Sequence, residues 1–184
     1  MIKLIIFDYD GVIVDSFYNV FDIYKIICEK LGKKFPENIE EFRKIYLRGY
    51  KQFQKKMGFS EDDEEKAEEL YKNEILKKSP KIFEGIDLVI KELSKRYILT
   101  MVSASYKEEV ISKLRGFKLD KYFKMVIGKE DTGREPLHKH MVFTKIMKEF
   151  NVKKEEILVI GDRMGDYTHA IEAGISKVIM VEYG

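Results

Sequence analysis

Long apolar runs, cysteines and a strong excess of charge of either sign are all lacking in this chain of 184 residues. No stretch is apolar enough to span a bilayer, and an acidic pair interrupts the apolar run that ends at Phe7, so we expect neither a membrane anchor nor a signal peptide. The single cysteine, Cys28, excludes an internal disulfide and fits a reducing compartment, so we expect a cytoplasmic protein. The net charge of +2 is too small to indicate a nucleic-acid or membrane partner.

The sequence is organised around an aliphatic segment, residues 3–7, that ends in two aspartates and a glycine. The segment has no polar alternation, so it predicts a strand buried on both faces, and ligands bind beyond the carboxyl ends of such parallel strands. Residues two apart on an extended chain point the same way, so Asp8 and Asp10 could face one reactant, one as nucleophile and the other as proton shuttle. Gly11 allows a sharp turn with no side chain over the pocket. Taken alone, these residues are equally consistent with an ordinary Asp-Gly turn.

Residues 16–80 show helical periodicity and no strand signal. The spacing of the apolar residues predicts three helices in this block. The second of these runs from Asn38 to Met57, and the third begins at a capping box formed by Ser60 and Asp63. The block therefore predicts a helical insertion in the chain.

From residue 81 onward, predicted strands alternate with predicted helices. This alternation implies a parallel sheet with right-handed crossovers, which the first strand joins across the helical insertion. We expect an α/β protein with a Rossmann-like, doubly wound parallel sheet, formed by residues 1–15 and 81–184, and an α-helical cap formed by residues 16–80. The later strands are predicted at residues 97–102, 124–128, 157–160 and 178–181.

Two further polar segments directly follow predicted strands. Ser103, followed by Ala104, ends one of these strands. A hydroxyl at a strand end, beside free backbone N–H groups, can donate hydrogen bonds to a phosphoryl oxygen. The alternative for this segment is a helix N-cap at Ser105. Asp162 and Asp166 are four residues apart, so they lie on one side of a helix, and carboxylates at a strand end suit Mg²⁺. The alternative there is a capped helix with a negative first turn.

The polar segments that follow the predicted strands resemble the motifs of the haloacid dehalogenase superfamily and occur in the same order along the chain. They have the form found in the phosphatases of that superfamily. The matching motifs are Asp-x-Asp-Gly at residues 8–11, a serine ending an aliphatic strand at Ser103, and Gly-Asp-x-x-x-Asp at residues 161–166. The resemblance covers almost the whole chain and is strongest to the phosphoglycolate phosphatase and beta-phosphoglucomutase branch, whose helical cap is inserted at the same place. It implies a Mg²⁺-dependent phosphatase for a small phosphorylated metabolite, acting as a monomer or small homo-oligomer.

The superfamily also needs a lysine near the start of one helix, the helix that precedes the strand leading into the Gly-Asp-x-x-x-Asp motif. Here the sequence departs from the usual pattern. Many relatives have Lys-Pro at this point, whereas Glu135 precedes Pro136 in this chain. Lys139 has a suitable spacing to the end of its helix and is the preferred candidate, with Arg134 and Lys129 as alternatives. A solvated lysine without a role is the remaining interpretation.

The resemblance implies a role for each matched residue. Asp8 would attack the phosphoryl group and form an aspartyl-phosphate, while Asp10 would protonate the leaving oxygen and then activate water. Mg²⁺ would be held by Asp8, by the backbone carbonyl of Asp10 and by Asp162, with Asp166 in support. The cation and one lysine would neutralise the carboxylates, so the site should be inert without metal. The groups around the phosphoryl oxygens would be Gly11, Ser103, the Ala104 amide and Lys139.

Other functions remain open at this point. A beta-phosphoglucomutase typically has a cap histidine shortly after the first motif, and residues 17–20 contain none, which disfavours a mutase. A receiver-like signalling module, phosphorylated on Asp8, is another class. Receivers, however, have their acceptor aspartate on a later strand and no helical insertion after the first strand. A non-catalytic phosphate-binding member of the superfamily would explain the irregular lysine motif. In the cap, Arg48 and Lys51 could contact an anionic substrate, or they could simply be solvated.

Overall fold

The computed structural model describes residues 1–47, 49–131 and 139–184. The strands are β1 (Leu4–Phe7), β2 (Val14–Asp15), β3 (Lys81–Ile82), β4 (Ile98–Val102), β5 (Phe123–Ile127), β6 (Ile157–Gly161) and β7 (Val178–Met180). The helices are α1 (Phe17–Lys30), α2 (Ile39–Tyr46), α3 (Tyr50–Lys56), α4 (Glu61–Ile75), α5 (Ile86–Leu93), α6 (Lys107–Gly116), α7 (Lys139–Glu149) and α8 (Met164–Glu172). Across these described ranges, none of the helices has the length and apolarity that a bilayer crossing requires.

The main sheet has five strands, all parallel, in the order β5-β4-β1-β6-β7. The first strand of the chain is therefore central, with Leu4 paired to Ile98 of β4 and to Ile157 of β6. This arrangement confirms the predicted α/β class and the doubly wound sheet. It also places the carboxyl ends of β1, β4 and β6 side by side.

The side chains of β1 are buried on both faces of the sheet, as the absence of polar alternation predicts. Successive strand residues point to opposite faces, so Ile5 and Phe7 belong to one apolar cluster and Leu4 and Ile6 to another. The first cluster includes residues of α5 and α6, and the second includes residues of α7 and α8. Full burial of an aliphatic or aromatic side chain stabilises a fold by about 1.5–3 kcal/mol, so this strand anchors the residues that follow it.

By contact density, the chain divides into two compact units, residues 1–16 with 80–184 and residues 17–79. Within the first unit, the two-residue strands β2 and β3 form an antiparallel ribbon. In this ribbon Val14 pairs with Ile82, and Asp15 pairs with Lys81. The ribbon therefore brings together the segments from which the chain leaves this unit and to which it returns.

The second unit contains α1 to α4 and packs around the ring of Phe42, which is fully buried. Cys28 is also buried, as its position on the apolar side of α1 predicts. The capping box of Ser60 and Asp63 at the start of α4 is confirmed. The rings within 6.3 Å of the Phe42 ring, measured between centroids, are those of Phe17, Phe21, Tyr24, Phe35, Tyr46 and Phe53.

The single helix predicted from Asn38 to Met57 is wrong, because the structure has two helices there. Asn38 does cap the first of them, since its side chain accepts a hydrogen bond from the backbone N–H of Glu41. The break occurs at Gly49, whose φ of 110° lies far from helical values. Only glycine adopts such a conformation without strain, so the glycine separates α2 from α3.

Candidate active site

Three aspartates converge at the adjoining carboxyl ends of β1 and β6. One carboxylate oxygen from each of Asp8, Asp162 and Asp166 lies within 4.8 Å of the other two. Asp8 directly follows β1, and its backbone N–H donates to the carbonyl of Ile160 in β6, at 2.9 Å. Asp162 directly follows β6, and Asp166 lies in the first turn of α8. The parallel pairing of the two strands is thus what brings together carboxylates that are remote in sequence.

Lys139, the first residue of α7, has its ammonium group among these carboxylates. Its Nζ lies 2.6 Å from Oδ1 of Asp166 and 3.1 Å from Oδ1 of Asp8. Burial alone would lower the pKa of Lys139, but the two carboxylates outweigh that effect and hold its pKa above the ordinary value. The lysine therefore stays protonated and acts as a fixed positive charge.

One ammonium group does not neutralise three carboxylates. Burial raises the pKa of Asp8, with Lys139 opposing the rise and the other carboxylates adding to it. Burial also raises the pKa of Asp162, whose Oδ1 has no hydrogen-bond partner among the described residues. Buried polar atoms are normally paired, and hard divalent cations prefer carboxylate oxygens. The donor set of this cluster therefore fits a cation such as Mg²⁺.

Gly11 is required where it stands for two separate reasons. Its φ of 76° lies in the left-handed region, and a Cβ at this position would collide with the carboxylate of Asp162. A Cβ on Gly184 would likewise collide with the carbonyl oxygen of Gly11, and the hydroxyl of Tyr183 donates to the carbonyl of Val12 at 3.2 Å. The segment at residues 183–184 thus packs against the turn that follows Asp10, a contact that the sequence gives no sign of.

The polar residues after β4 make a connected set of hydrogen bonds. The hydroxyl of Ser105 donates to Oδ2 of Asp10 at 2.6 Å, and the backbone N–H of Ser105 donates to Oγ of Ser103 at 2.9 Å. Ser103 is fully buried, and its own N–H donates to the carbonyl of Ile127 at 3.0 Å. The backbone N–H of Ala104 donates to none of the described residues. A free N–H and the Ser103 hydroxyl therefore stand together at this strand end.

The alternative interpretation of Ser105 as a helix N-cap is wrong. Helix α6 begins at Lys107, and the N-cap position is held by Tyr106, which makes no side-chain cap. The first backbone N–H of α6 instead donates to Oε2 of Glu130 at 2.8 Å. A side chain from a different part of the chain satisfies the helix terminus, which leaves the Ser105 hydroxyl for Asp10.

The remaining candidate cations lie elsewhere or outside the described residues. The ammonium group of Lys129 lies over the ring of Tyr106, 5.1 Å from the ring centroid. Lys51 is exposed on α3. Arg134, the alternative to Lys139, and Arg48, the other candidate substrate contact, both lie outside the described residues.

Two buried polar residues near Asp10 were not expected from the sequence. Glu109 in α6 and Tyr9 after β1 are 1% and 0% exposed, and neither Oε2 of Glu109 nor the Tyr9 hydroxyl has a hydrogen-bond partner in the described ranges. Burial raises the pKa of Glu109 to about 8, with further increases from Asp10 and Glu130 and an opposing effect of Lys113. From sequence, Glu109 is indistinguishable from a solvated acid in the first turn of a helix.

Replacing Glu109 by glutamine should change how stability depends on pH. The pKa of about 8 in the folded state exceeds the ordinary value of 4.5, so the folded protein retains a proton that the unfolded chain releases. Stability should therefore fall as the pH rises through this window, by up to about 1.4 kcal/mol per pH unit, and E109Q should lack this contribution. Urea denaturation should show that the free energy of unfolding falls between about pH 5 and about pH 8 by about 2–4 kcal/mol less in E109Q than in wild type. The exposed neighbour variant E108Q should behave as wild type, and parallel losses in all three proteins would contradict the assignment.

The chain is similar to known proteins in both sequence and fold. Residues 5–181 match the sequence model of a family described as haloacid dehalogenase-like hydrolase. A phosphorylated carbohydrates phosphatase from Thermotoga maritima is 25% identical over 186 residues, which cover 96% of this chain and 83% of that protein. The pyrophosphatase PpaX from Halalkalibacterium halodurans is 25% identical over 198 residues, covering 97% and 83% of the two chains. The solved structure of a haloacid dehalogenase-like family hydrolase from Streptococcus pneumoniae has the same fold, with a TM-score of 0.81, 23% identity, and coverage of 100% of this chain and 86% of that one.

Proposed function

The chain belongs to the haloacid dehalogenase-like hydrolases, and from that premise we propose that it is a Mg²⁺-dependent phosphatase of a small phosphorylated metabolite. The observation that supports this most is the convergence of Asp8, Asp162 and Asp166, with Lys139 beside them, at two adjoining strand ends. One similar protein is named a phosphatase of phosphorylated carbohydrates and another a pyrophosphatase, so sugar phosphates are the first substrates to test and pyrophosphate is the second.

We assign the catalytic core to residues 1–15 and 81–184, and a substrate-selecting cap to residues 16–80. Support comes from the compact units, whose boundaries lie within one residue of this division. The proposed site residues Asp8, Asp10, Ser103, Lys139, Asp162 and Asp166 all belong to the first unit. Residues 17–79 would then determine which phosphorylated compound is accepted.

In the proposed reaction, Asp8 acts as the nucleophile and Asp10 as the acid and base. A carboxylate oxygen of Asp8 bonds to phosphorus while the bond from phosphorus to the leaving oxygen breaks, and Asp10 gives that oxygen its proton. Water then attacks the phosphorus of the aspartyl-phosphate, Asp10 takes the proton, and the bond from phosphorus to Asp8 breaks. The products are inorganic phosphate and the free hydroxyl compound, with both aspartates restored.

Asp8, Asp162, Asp166 and the backbone carbonyl of Asp10 are the groups that would hold the metal. When bound, Mg²⁺ supplies the positive charge that lets a phosphate dianion approach three carboxylates. The groups proposed to hold the phosphoryl oxygens are the ammonium of Lys139, the hydroxyl of Ser103 and the N–H of Ala104, at the turn that Gly11 keeps open. Because Oγ of Ser103 already accepts from a backbone N–H, its own proton is available to a phosphoryl oxygen.

Removal of divalent metal should abolish turnover. With a chelator, we expect phosphate release from sugar phosphates to fall by at least about 100-fold and to recover when Mg²⁺ is added, because the carboxylates would otherwise repel the substrate. Mg²⁺ should also raise the melting temperature, since a ligand at 100 times its Kd stabilises the folded state by about 2.7 kcal/mol. D162N should lose both responses, whereas D87N, at an exposed position of α5, should keep them. Full turnover in chelator would overturn the mechanism.

The same assay separates the proposed function from its two alternatives. A phosphomutase would convert a sugar phosphate into its positional isomer with little release of inorganic phosphate. A non-catalytic phosphate-binding protein would be stabilised by phosphate and yet release none from any ester. Phosphate release that depends on Mg²⁺ and on Asp8 supports the hydrolase.

A further inference from the structure

We propose that Ser105 is a positioning residue for Asp10 and determines which carboxylate oxygen of Asp10 delivers the proton to the leaving group. This inference rests on the proposed function of the site. Its basis is the hydrogen bond of 2.6 Å from the Ser105 hydroxyl to Oδ2 of Asp10. The distance is at the short end of the range for hydrogen bonds between oxygen atoms, so the contact is direct.

The hydroxyl of Ser105 comes from a backbone that is fixed on both sides. Its N–H donates to Oγ of Ser103 at 2.9 Å, and its carbonyl accepts from the N–H of Lys129 at 2.9 Å. Lys129 follows β5 and Ser103 follows β4, so the Ser105 backbone is joined to the ends of two neighbouring strands. The backbone that carries the Ser105 hydroxyl is therefore held in place on both sides.

A donor fixed on one carboxylate oxygen restricts the other. Oδ2 of Asp10 accepts a hydrogen bond from the Ser105 hydroxyl, which leaves Oδ1 as the favoured position for the proton that Asp10 transfers. In the first step, this Oδ1 proton passes to the leaving oxygen as its bond to phosphorus breaks. In the second step, Oδ1 takes a proton from the attacking water. Without the hydroxyl, the carboxylate of Asp10 can rotate, and its proton is no longer held toward the leaving oxygen.

Removal of the hydroxyl is also a clean perturbation. Ser105 does not cap α6, because Oε2 of Glu130 accepts from the first N–H of that helix. The S105A variant keeps the backbone N–H that orients the Ser103 hydroxyl, so the proposed contact of Ser103 with the phosphoryl group is unaffected. What S105A removes is the hydrogen bond to Asp10.

The experiment compares two aryl esters of similar shape. Para-nitrophenolate leaves readily without a proton, whereas phenolate needs one, so para-nitrophenyl phosphate and phenyl phosphate differ in their demand for an acid. The leaving group departs in the first step, and kcat/KM reports that step. We expect S105A to lower kcat/KM for phenyl phosphate by about 10–100-fold and that for para-nitrophenyl phosphate by no more than about threefold. S105T, which retains a hydroxyl, should recover much of the loss on phenyl phosphate.

Two controls make the result specific. S94A removes a hydroxyl that donates to the Lys91 carbonyl in an exposed turn, and it should leave both kcat/KM values unchanged. In a D10N background, S105A should add no further discrimination between the esters, because the group that it positions is no longer an acid. The role of Ser105 would be overturned if S105A lowered kcat/KM equally for both esters. It would also be overturned if S105A widened the difference between the esters in the D10N background as much as it does in wild type. A wild-type protein that hydrolyses neither ester, nor any sugar phosphate, would overturn the proposed function itself.

Discussion

D8N should have almost no phosphatase activity, with kcat lower than that of wild type by at least about 10⁴-fold. An amide oxygen is a poor nucleophile, so the aspartyl-phosphate cannot form, and the loss of one carboxylate also weakens the cluster that would hold the metal. Release of inorganic phosphate from sugar phosphates at saturating Mg²⁺ measures the effect. The covalent step can be tested separately, by trapping phosphate on wild-type protein and on D8N after rapid acid quenching.

The fold should survive this substitution. Burial raises the pKa of Asp8, which means that the ionised side chain is disfavoured there, and the ammonium of Lys139 retains Asp166 at 2.6 Å. We therefore expect D8N to unfold at a urea concentration no lower than that of wild type in chelator. D15N, at an exposed position of β2 a few residues after Asp8, should retain full activity. A D8N protein within tenfold of the wild-type kcat would show that another group is the nucleophile.

Replacing Lys139 by methionine should affect both stability and turnover. Methionine keeps an unbranched apolar stem but removes the charge, which leaves Asp8 and Asp166 without the ammonium group that pairs with them. Loss of one partner from a buried ion pair typically costs about 3–5 kcal/mol, so the free energy of unfolding in chelator should fall by about that amount. Turnover should fall by roughly 10²–10³-fold, as for the loss of a donor that stabilises charge in the transition state.

The response of K139M to Mg²⁺ tests the charge argument directly. A divalent cation supplies positive charge to the same carboxylates, so the loss of stability should be smaller in Mg²⁺ than in chelator. K145M, at an exposed position of the same helix, should match wild type in both conditions. Unchanged stability together with normal turnover in K139M would transfer the lysine role to Arg134 or to another residue.

The fold was predictable where a pattern extends over enough residues. The apolar run of β1 and the alternation of strands and helices after residue 81 identify the parallel sheet, because periodicity is visible over four or more positions. The ribbon of β2 and β3 escaped prediction, since strands of two residues have no period. The break at Gly49 also escaped, because the apolar spacing continues through it and the conformation of one glycine decides the outcome.

In the candidate site, too, some residues could be predicted from the sequence and others could not. Asp8, Asp162 and Asp166 directly follow predicted strands or begin the next helix, so their convergence follows from the order of the sheet. The contact of Ser105 with Asp10 joins residues that are 95 positions apart and depends on side-chain placement. The burial of Glu109 depends on which side of α6 packs against the sheet, and an acid beside apolar residues gives no sign of it. Sequence patterns thus identified the groups at the strand ends, but neither the contact of Ser105 with Asp10 nor the burial of Glu109.

The small antiparallel ribbon has a consequence for how this architecture can change. Because Val14 pairs with Ile82 and Asp15 with Lys81, the chain departs from and re-enters the first unit at neighbouring points. A turn of a few residues is long enough to connect such neighbours, so we expect the main sheet to keep its strand register when residues 17–79 are deleted, lengthened or exchanged for another module. On the proposed function, such a transplantation of a whole segment should change which substrate is accepted, while the residues around Asp8 remain in place.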